Sequence, residues 1–215
     1  MDVWWARVGE ARDEFVADLD AVEHGRLAAY VRDVDKARFL LGVTIVRRVL
    51  AARFSLPAAS IRLDRTCPEC GKPHGKVRAD GVELSVTHSG ELVGVAVADR
   101  PVGLDVEKVD PDVDVDAVAR IAFAEDEVRE LSRRTGIDKV RRFTEYWTRK
   151  EAVLKATGEG LRGDLRAAAP DGIQVVRLEV GADHRAALAV VSPEPPHTQV
   201  RDAAELLRSG SGPRR

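Results

Sequence analysis

Gly103-Leu104-Asp105-Val106-Glu107 and Trp147-Thr148-Arg149-Lys150-Glu151-Ala152-Val153-Leu154-Lys155 decide how this chain reads. In the first stretch, alternate residues of a short strand share a face. Asp105 and Glu107 therefore point one way while Leu104 and Val106 go to the core. The second stretch is helical. Val140, Phe143, Trp147 and Leu154 form an apolar stripe, and Glu151 stands at the next position on it. A carboxylate in a buried stripe is costly unless it is paired or binds a metal. Lys155 lies one turn further and flanks the same face. A solvated strand also shows paired acids, and an ordinary Glu-Lys helix pair is a common motif, but such a pair belongs on the polar face. Three carboxylates suit a hard octahedral cation, Mg²⁺ or Mn²⁺, better than zinc. Metal, lysine and a carboxylate base are together the working parts of phosphoryl transfer.

Composition narrows the classes. The chain has 215 residues, enough for one substantial domain or two small lobes. Charged residues make up 33% and the net charge is -2, so no global field argues for nucleic acid. Charges in Met1 to Phe15 stand where a signal peptide needs an apolar run, and no window approaches a membrane span. Two cysteines make no disulfide framework, so the expected setting is soluble, reducing and cytoplasmic.

Along the chain, Val3 to Val8 reads as an edge strand, and Ala11 to Arg32 as polar, helix-favouring sequence. A helix is expected from about Asp35 to Ala52, where Ala37, Leu40, Leu41, Thr44, Ile45 and Val49 recur on one face. Leu63 to Gly81 is loop-like. Strands are expected at Val82 to Val86, Leu92 to Ala98 and Val102 to Glu107, the middle one covered on both faces. Helices follow at Val115 to Ile121, Glu125 to Arg133 and Lys139 to Ala156, with Gly158 and Gly160 as the stop. Strands Ile173 to Val180 and Ala186 to Val191 come next, then a Pro-rich tail that is briefly helical. The order of elements occurs twice without a residue-level repeat. We therefore expect an α+β fold of two similar α/β lobes. The N-terminal lobe is residues 1–100, the C-terminal lobe 101–208, and 209–215 a disordered tail.

Asp105-x-Glu107 after Gly103, and Trp147-x-x-Lys150-Glu151-Ala152-x-x-Lys155 before Gly158-x-Gly160-Leu161, resemble the two signatures of the 4'-phosphopantetheinyl transferases. The likeness runs from Asp35 to about Leu161 and is to the longer, two-lobed Sfp-type branch. It implies transfer of the phosphopantetheine arm of coenzyme A to a serine of an apo acyl or peptidyl carrier protein, with release of adenosine 3',5'-bisphosphate. It also implies a monomer whose lobes form an intramolecular pseudo-dimer. By the same resemblance Asp105 and Glu151 bind Mg²⁺ or Mn²⁺, with Glu107 as third ligand directly or through water. Glu151 takes the serine proton, Lys155 contacts the transferring phosphate, and Trp147 packs the helix.

The N-terminal lobe would add the coenzyme A cradle and half of the cleft. Gly75-Lys76 and Ser85-Val86-Thr87-His88-Ser89 resemble the family's Gly-Lys-Pro and Ser-His-Ser elements, with Val77 in place of proline and Thr87 in place of serine. Lys76, Thr87 and His88 would be donors to phosphate. Arg38 resembles another phosphate-binding position; Arg26 is read as solvated. Gly71-Lys72-Pro73 spells the same cradle motif but lies further from the strand. Cys67-Pro68-Glu69-Cys70 with His74 is half a zinc site, and with three donors close in sequence, free thiols are the favoured reading. Two rival functions remain. A silent coenzyme A or carrier-binding module would have lost Glu151 or Lys155, and both are present. A zinc-bearing interaction protein would leave the buried-stripe acid unexplained. Fatty-acid, polyketide and nonribosomal-peptide carriers all present such a serine, and their acidity leads us to expect a local arginine-rich docking patch.

Overall fold

The computed structural model describes residues 1–160 and 163–208. Its elements begin with β1 (Asp2–Arg7), α1 (Ala21–Ala29), α2 (Asp33–Phe54), β2 (Glu83–Ser89), β3 (Leu92–Ala98) and β4 (Val102–Lys108). They continue with α3 (Val115–Ala122), α4 (Glu125–Ser132), α5 (Gly136–Thr157), β5 (Ile173–Leu178), β6 (His184–Val191), β7 (Gln199–Asp202) and α6 (Ala204–Arg208). The fold is mixed α+β, with a four-stranded sheet ordered β2-β3-β1-β7 and a three-stranded sheet ordered β4-β6-β5.

Two compact units result, Met1–Asp99 joined by residues 198–208, and Arg100–His197. The sequence reading placed everything up to residue 208 in the second lobe. In the structure β7 instead pairs parallel with β1, Trp4 opposite Arg201, and the Ala203 N–H donates to the Trp5 carbonyl. All four β7 residues are exposed, so the strand carries no apolar alternation that a sequence could reveal. The tail expected at 209–215, and Leu161 of the second signature, lie outside the described residues.

In the first unit α2 supplies the core. Leu41, Ile45, Val46 and Leu50 are fully buried, and the helix packs on β3, itself buried along its whole length. Within this apolar setting sits Arg47, also with no exposure. Its guanidinium donates to Glu23 at 2.6 Å, to Asp20 at 2.5 Å, and to the carbonyls of Ala58 and Ile61 at 3.0 Å each. Arg65 reaches the other oxygen of Glu23 at 3.2 Å. Next along, Arg48 pairs with buried Asp18 at 2.7 Å, lies over the Phe15 ring and donates to the Leu207 carbonyl of α6. Buried charges of this kind are tolerated only because nearly every donor has an acceptor. They tie α1, the turn around Ala58 and α6 to one helix. Arg26, read as solvated, lies over the Phe39 ring at 4.9 Å.

In the second unit α5 lies across β4 and β6, and Gly158 ends it in a left-handed conformation (φ 80°) with its N–H on the Leu154 carbonyl. Phe123, Phe143, Tyr146 and Trp147 cluster beneath α3 and α4; the Phe143 and Trp147 rings stack at 6.0 Å. At the cluster's edge Glu130 accepts from the Tyr146 hydroxyl, Arg142 and Arg134. The Tyr146 hydroxyl and Arg142 hold its carboxyl down to about 2 from 4.5.

Arg47→Ala takes from buried Glu23 its shorter ion pair and leaves Arg65 as the cation beside it, so it should cost about 3 kcal/mol of unfolding free energy in urea titration. Unchanged stability would show that the network contributes nothing net. Because the Glu130 carboxyl is depressed on folding, its stabilisation is complete above pH 4.5 and disappears as pH falls toward about 2. Glu130→Gln should therefore flatten the acid limb of a melting-temperature profile across that window. An identical acid limb in the variant would remove Glu130 from the account.

Candidate active site

The second unit's site starts from how close a helix can come to a sheet. On β4, Gly103 and Asp105 share a face, and β6 presents Ala189 and Ala187 opposite them in register. The helix meets this surface with Ala152 and Ala156, so small residues face small residues. At Gly103 the approach is closest. A Cβ there would lie 1.9 Å from the Ala152 carbonyl oxygen and 2.5 Å from the Ala156 nitrogen. Only glycine fits, because the obstruction is backbone that cannot rotate away.

That contact brings three of the expected residues together. The Lys155 ammonium donates to Asp105 at 2.6 Å and to the Leu104 carbonyl at 3.2 Å. Asp105 is 3% exposed, so the ion pair sits largely out of water. Glu151, one turn before Lys155, is half-buried. Burial pushes its carboxyl above the usual carboxylate range, the negative charge of Asp105 pushes the same way, and Lys155 pulls it back. A half-buried carboxylate pushed up by a second one, with a single ammonium between them, is where a further cation would be welcome. The available donors are all oxygens, which fits a hard ion. Glu107 follows on the same strand face, partly buried and opposite Arg185. Trp147 is in the aromatic cluster, as its packing role requires.

In the first unit the expected phosphate-binding residues are strung out along β2 and not brought to one point. Thr87 is buried opposite Gly94, and His88 is exposed opposite Val93, so the two face opposite sides of the strand. Lys76 approaches the start of β2, 3.9 Å from Glu83. Partial burial draws its ammonium below the usual lysine range, against the pull of Glu83. Beyond the strand's other end, Arg38 donates to the Gly90 carbonyl at 2.8 and 3.2 Å and pairs with Asp35 at 3.0 Å. Gly75 packs tightly, since a Cβ would come 2.8 Å from the Thr66 carbonyl. Its contribution here is backbone geometry. Sequence reasoning missed the importance of Gly103 and of the alanines facing it. The signal was present as Ala152 and Ala156 four apart, with Gly103 two residues before the acid.

Residues 101–201, which carry β4, α5 and the carboxylates, match the 4'-phosphopantetheinyl transferase superfamily. The chain is 31% identical over 161 residues to 4'-phosphopantetheinyl transferase psf-1 of Bacillus pumilus, covering 73% of this chain and 66% of that protein. It is 34% identical over 160 residues to a putative 4'-phosphopantetheinyl transferase of Synechocystis, covering 73% and 64%. With 4'-phosphopantetheinyl transferase Sfp of Bacillus subtilis it shares 27% over 152 residues, covering 71% and 66%. The chain thus spans about two thirds, or less, of the length of these relatives. It belongs to the 4'-phosphopantetheinyl transferase superfamily.

Gly103→Ala should lower unfolding stability by about 1–3 kcal/mol through overpacking. Gly9→Ala is the control, since a Cβ there meets nothing within 4 Å. Equal melting temperatures for the two variants would mean the helix can back away from β4 at little cost.

Proposed function

We propose that this protein transfers the 4'-phosphopantetheine arm of coenzyme A to a serine hydroxyl of an apo acyl or peptidyl carrier protein, releasing adenosine 3',5'-bisphosphate. The observation that carries the reading is the grouping of Asp105, Lys155 and the proton-seeking Glu151 within the stretch that matches the superfamily. Asp105 and Glu151 would hold Mg²⁺ or Mn²⁺, with Glu107 as a further oxygen donor. Such an ion, when bound, neutralises charge on the pyrophosphate.

The chain's own groups do the rest. The serine oxygen attacks the phosphorus that carries pantetheine, and its proton passes to a Glu151 carboxylate oxygen. The bond from that phosphorus to the bridging oxygen breaks, and the leaving bisphosphate takes the electron pair. Lys155 supplies positive charge to the phosphoryl oxygens where negative charge gathers. The elevated proton affinity of Glu151 suits it to the base role, since a carboxylate of ordinary strength is a poor acceptor at neutral pH. Lys76, Thr87, His88 and Arg38 would hold the remaining phosphates, and Gly75 sets the path of the loop that presents Lys76. A two-lobed pseudo-dimer acting as a monomer belongs to the same proposal.

The test is intact mass of several apo carrier proteins after incubation with this protein, coenzyme A and Mg²⁺. One phosphopantetheine arm should be gained, and chelation should prevent it. No gain on fatty-acid, polyketide or nonribosomal-peptide carriers would overturn the reading. Glu151→Gln should cut the rate by about 10²–10⁴-fold while the protein still melts cooperatively. Lys76→Ala and His88→Ala should mainly raise the coenzyme A concentration needed. A lowered maximal rate at unchanged coenzyme A affinity would move those two side chains to the chemistry.

A further inference from the structure

The loop that leads into β2 contains a second constellation, and the transfer reaction has no use for it. Its base is held closed. Asp64 and Arg78 exchange backbone hydrogen bonds at 3.0 and 2.8 Å, and the Gly75 N–H donates to the Arg65 carbonyl at 2.7 Å. Between these anchors the chain turns back tightly. The Gly71 N–H donates to the Cys67 carbonyl, and the Cys67 N–H to the Lys72 carbonyl, both at 2.9 Å. Gly71 takes the left-handed conformation (φ 70°) that this reversal requires directly after Cys70.

The turn brings together side chains of one chemical kind. One ligand atom from each of Cys67, Cys70 and His74 lies within 4.8 Å of the other two. The Cys70 sulfur stands 3.0 Å from the His74 Nε2. The backbone N–H groups of Cys70 and Glu69 are aimed at the Cys67 sulfur, the arrangement that steadies a metal-bound thiolate. Cys67 is buried, while Cys70 and His74 are exposed. Zinc–sulfur bonds of about 2.3 Å and a zinc–nitrogen bond of about 2.0 Å place tetrahedral ligand atoms about 3.5–3.8 Å apart, so closing this trio on an ion asks for no more than about 1 Å of side-chain movement. Two sulfurs and an imidazole are soft and borderline donors. They select Zn²⁺ and reject Mg²⁺, the reverse of the oxygen set on β4 and α5.

We propose that Cys67, Cys70 and His74 bind one Zn²⁺ through two thiolates and an imidazole, with the fourth position open to solvent. The ion would staple the loop from Asp64 to Arg78 and so fix the segment that presents Lys76. The sequence alone argued for free thiols because three donors fall short of a closed structural site. The spatial grouping reverses that preference, since three protein ligands and a water complete a tetrahedron. This site does not depend on the transferase reading.

Cobalt substitution tests it directly. Reduced, chelator-treated full-length protein is titrated with Co²⁺ and followed by absorbance. One equivalent should produce a thiolate-to-cobalt charge-transfer band in the near ultraviolet, and Zn²⁺ should displace it. Cobalt on the carboxylates of the other unit gives no such band, so the two sites are told apart. Cys70→Ser and His74→Asn change exposed side chains and should leave the fold intact. Cys70→Ser should cut the band to half or less and His74→Asn should weaken Co²⁺ binding. Zn²⁺ should also protect both cysteines of the unaltered protein from a thiol reagent. Absence of the band with both thiols demonstrably reduced, or a full band surviving Cys70→Ser, would overturn the proposal.

Discussion

The chemistry of the second unit depends on one close contact, the backbone of α5 pressed against β4 at Gly103. Side chains of ordinary size would hold a helix about 10 Å from a sheet, at a distance where Lys155 could not meet Asp105 so closely. Glycine on the strand and alanines on β6 and α5 remove that spacing. The acids and the lysine are thereby set by packed backbone, and their orientation costs little further entropy when a substrate arrives. Their mutual electrostatics follow from the same closeness. Burial and the neighbouring Asp105 make Glu151 reluctant to stay charged, and Lys155 limits how far that goes.

The first unit solves a different problem by different means. Arg47 and Arg48 take consecutive positions on α2 and send their guanidinium groups into two separate clusters, one around Glu23 and Asp20, the other around Asp18 and α6. Each arginine spans several segments that have little apolar surface of their own. The α1 stretch is an instance, with exposed Val22 and a capping box between Asp20 and Glu23. Glu23 serves both as that cap and as the partner of Arg47. Hydrogen-bond geometry thus does here what apolar burial does in the second unit, and fixes these segments more directionally.

Legibility in the sequence followed apolar pattern. Leu92–Ala98 was expected as a strand covered on both faces and has those bounds, because seven small and apolar residues in a row leave little else. The stripe on α5 revealed Glu151 for the same reason, although the helix begins at Gly136, three residues before the expected start. Where polar groups do the holding, the reading was coarser. Ala11 to Arg32 separates into a short 3-10 segment, Asp13–Asp18, and α1. The burial of Arg47 was invisible, since an arginine pair within Val46-Arg47-Arg48-Val49 reads as a solvated face. At the site, residue types and spacing identified the acids and the lysine. The clearance at Gly103 and the distances among Cys67, Cys70 and His74 needed three dimensions, because spacing shows which small residues or donors could meet and not how closely they do.

The pairing of β7 with β1 has a temporal meaning. Residues 100–197 are an insertion in the first unit, and the outermost strand of its sheet is made from some of the last residues described. On a chain emerging from the ribosome, β1 must wait with one edge open through the synthesis of the whole second unit. Arg48 waits as well, since the Leu206 and Leu207 carbonyls it will meet do not yet exist. The second unit is made from one continuous stretch, residues 100–197, and can finish first. Contacts spanning almost two hundred residues are slow to find, so maturation of this protein should be paced by the docking of β7.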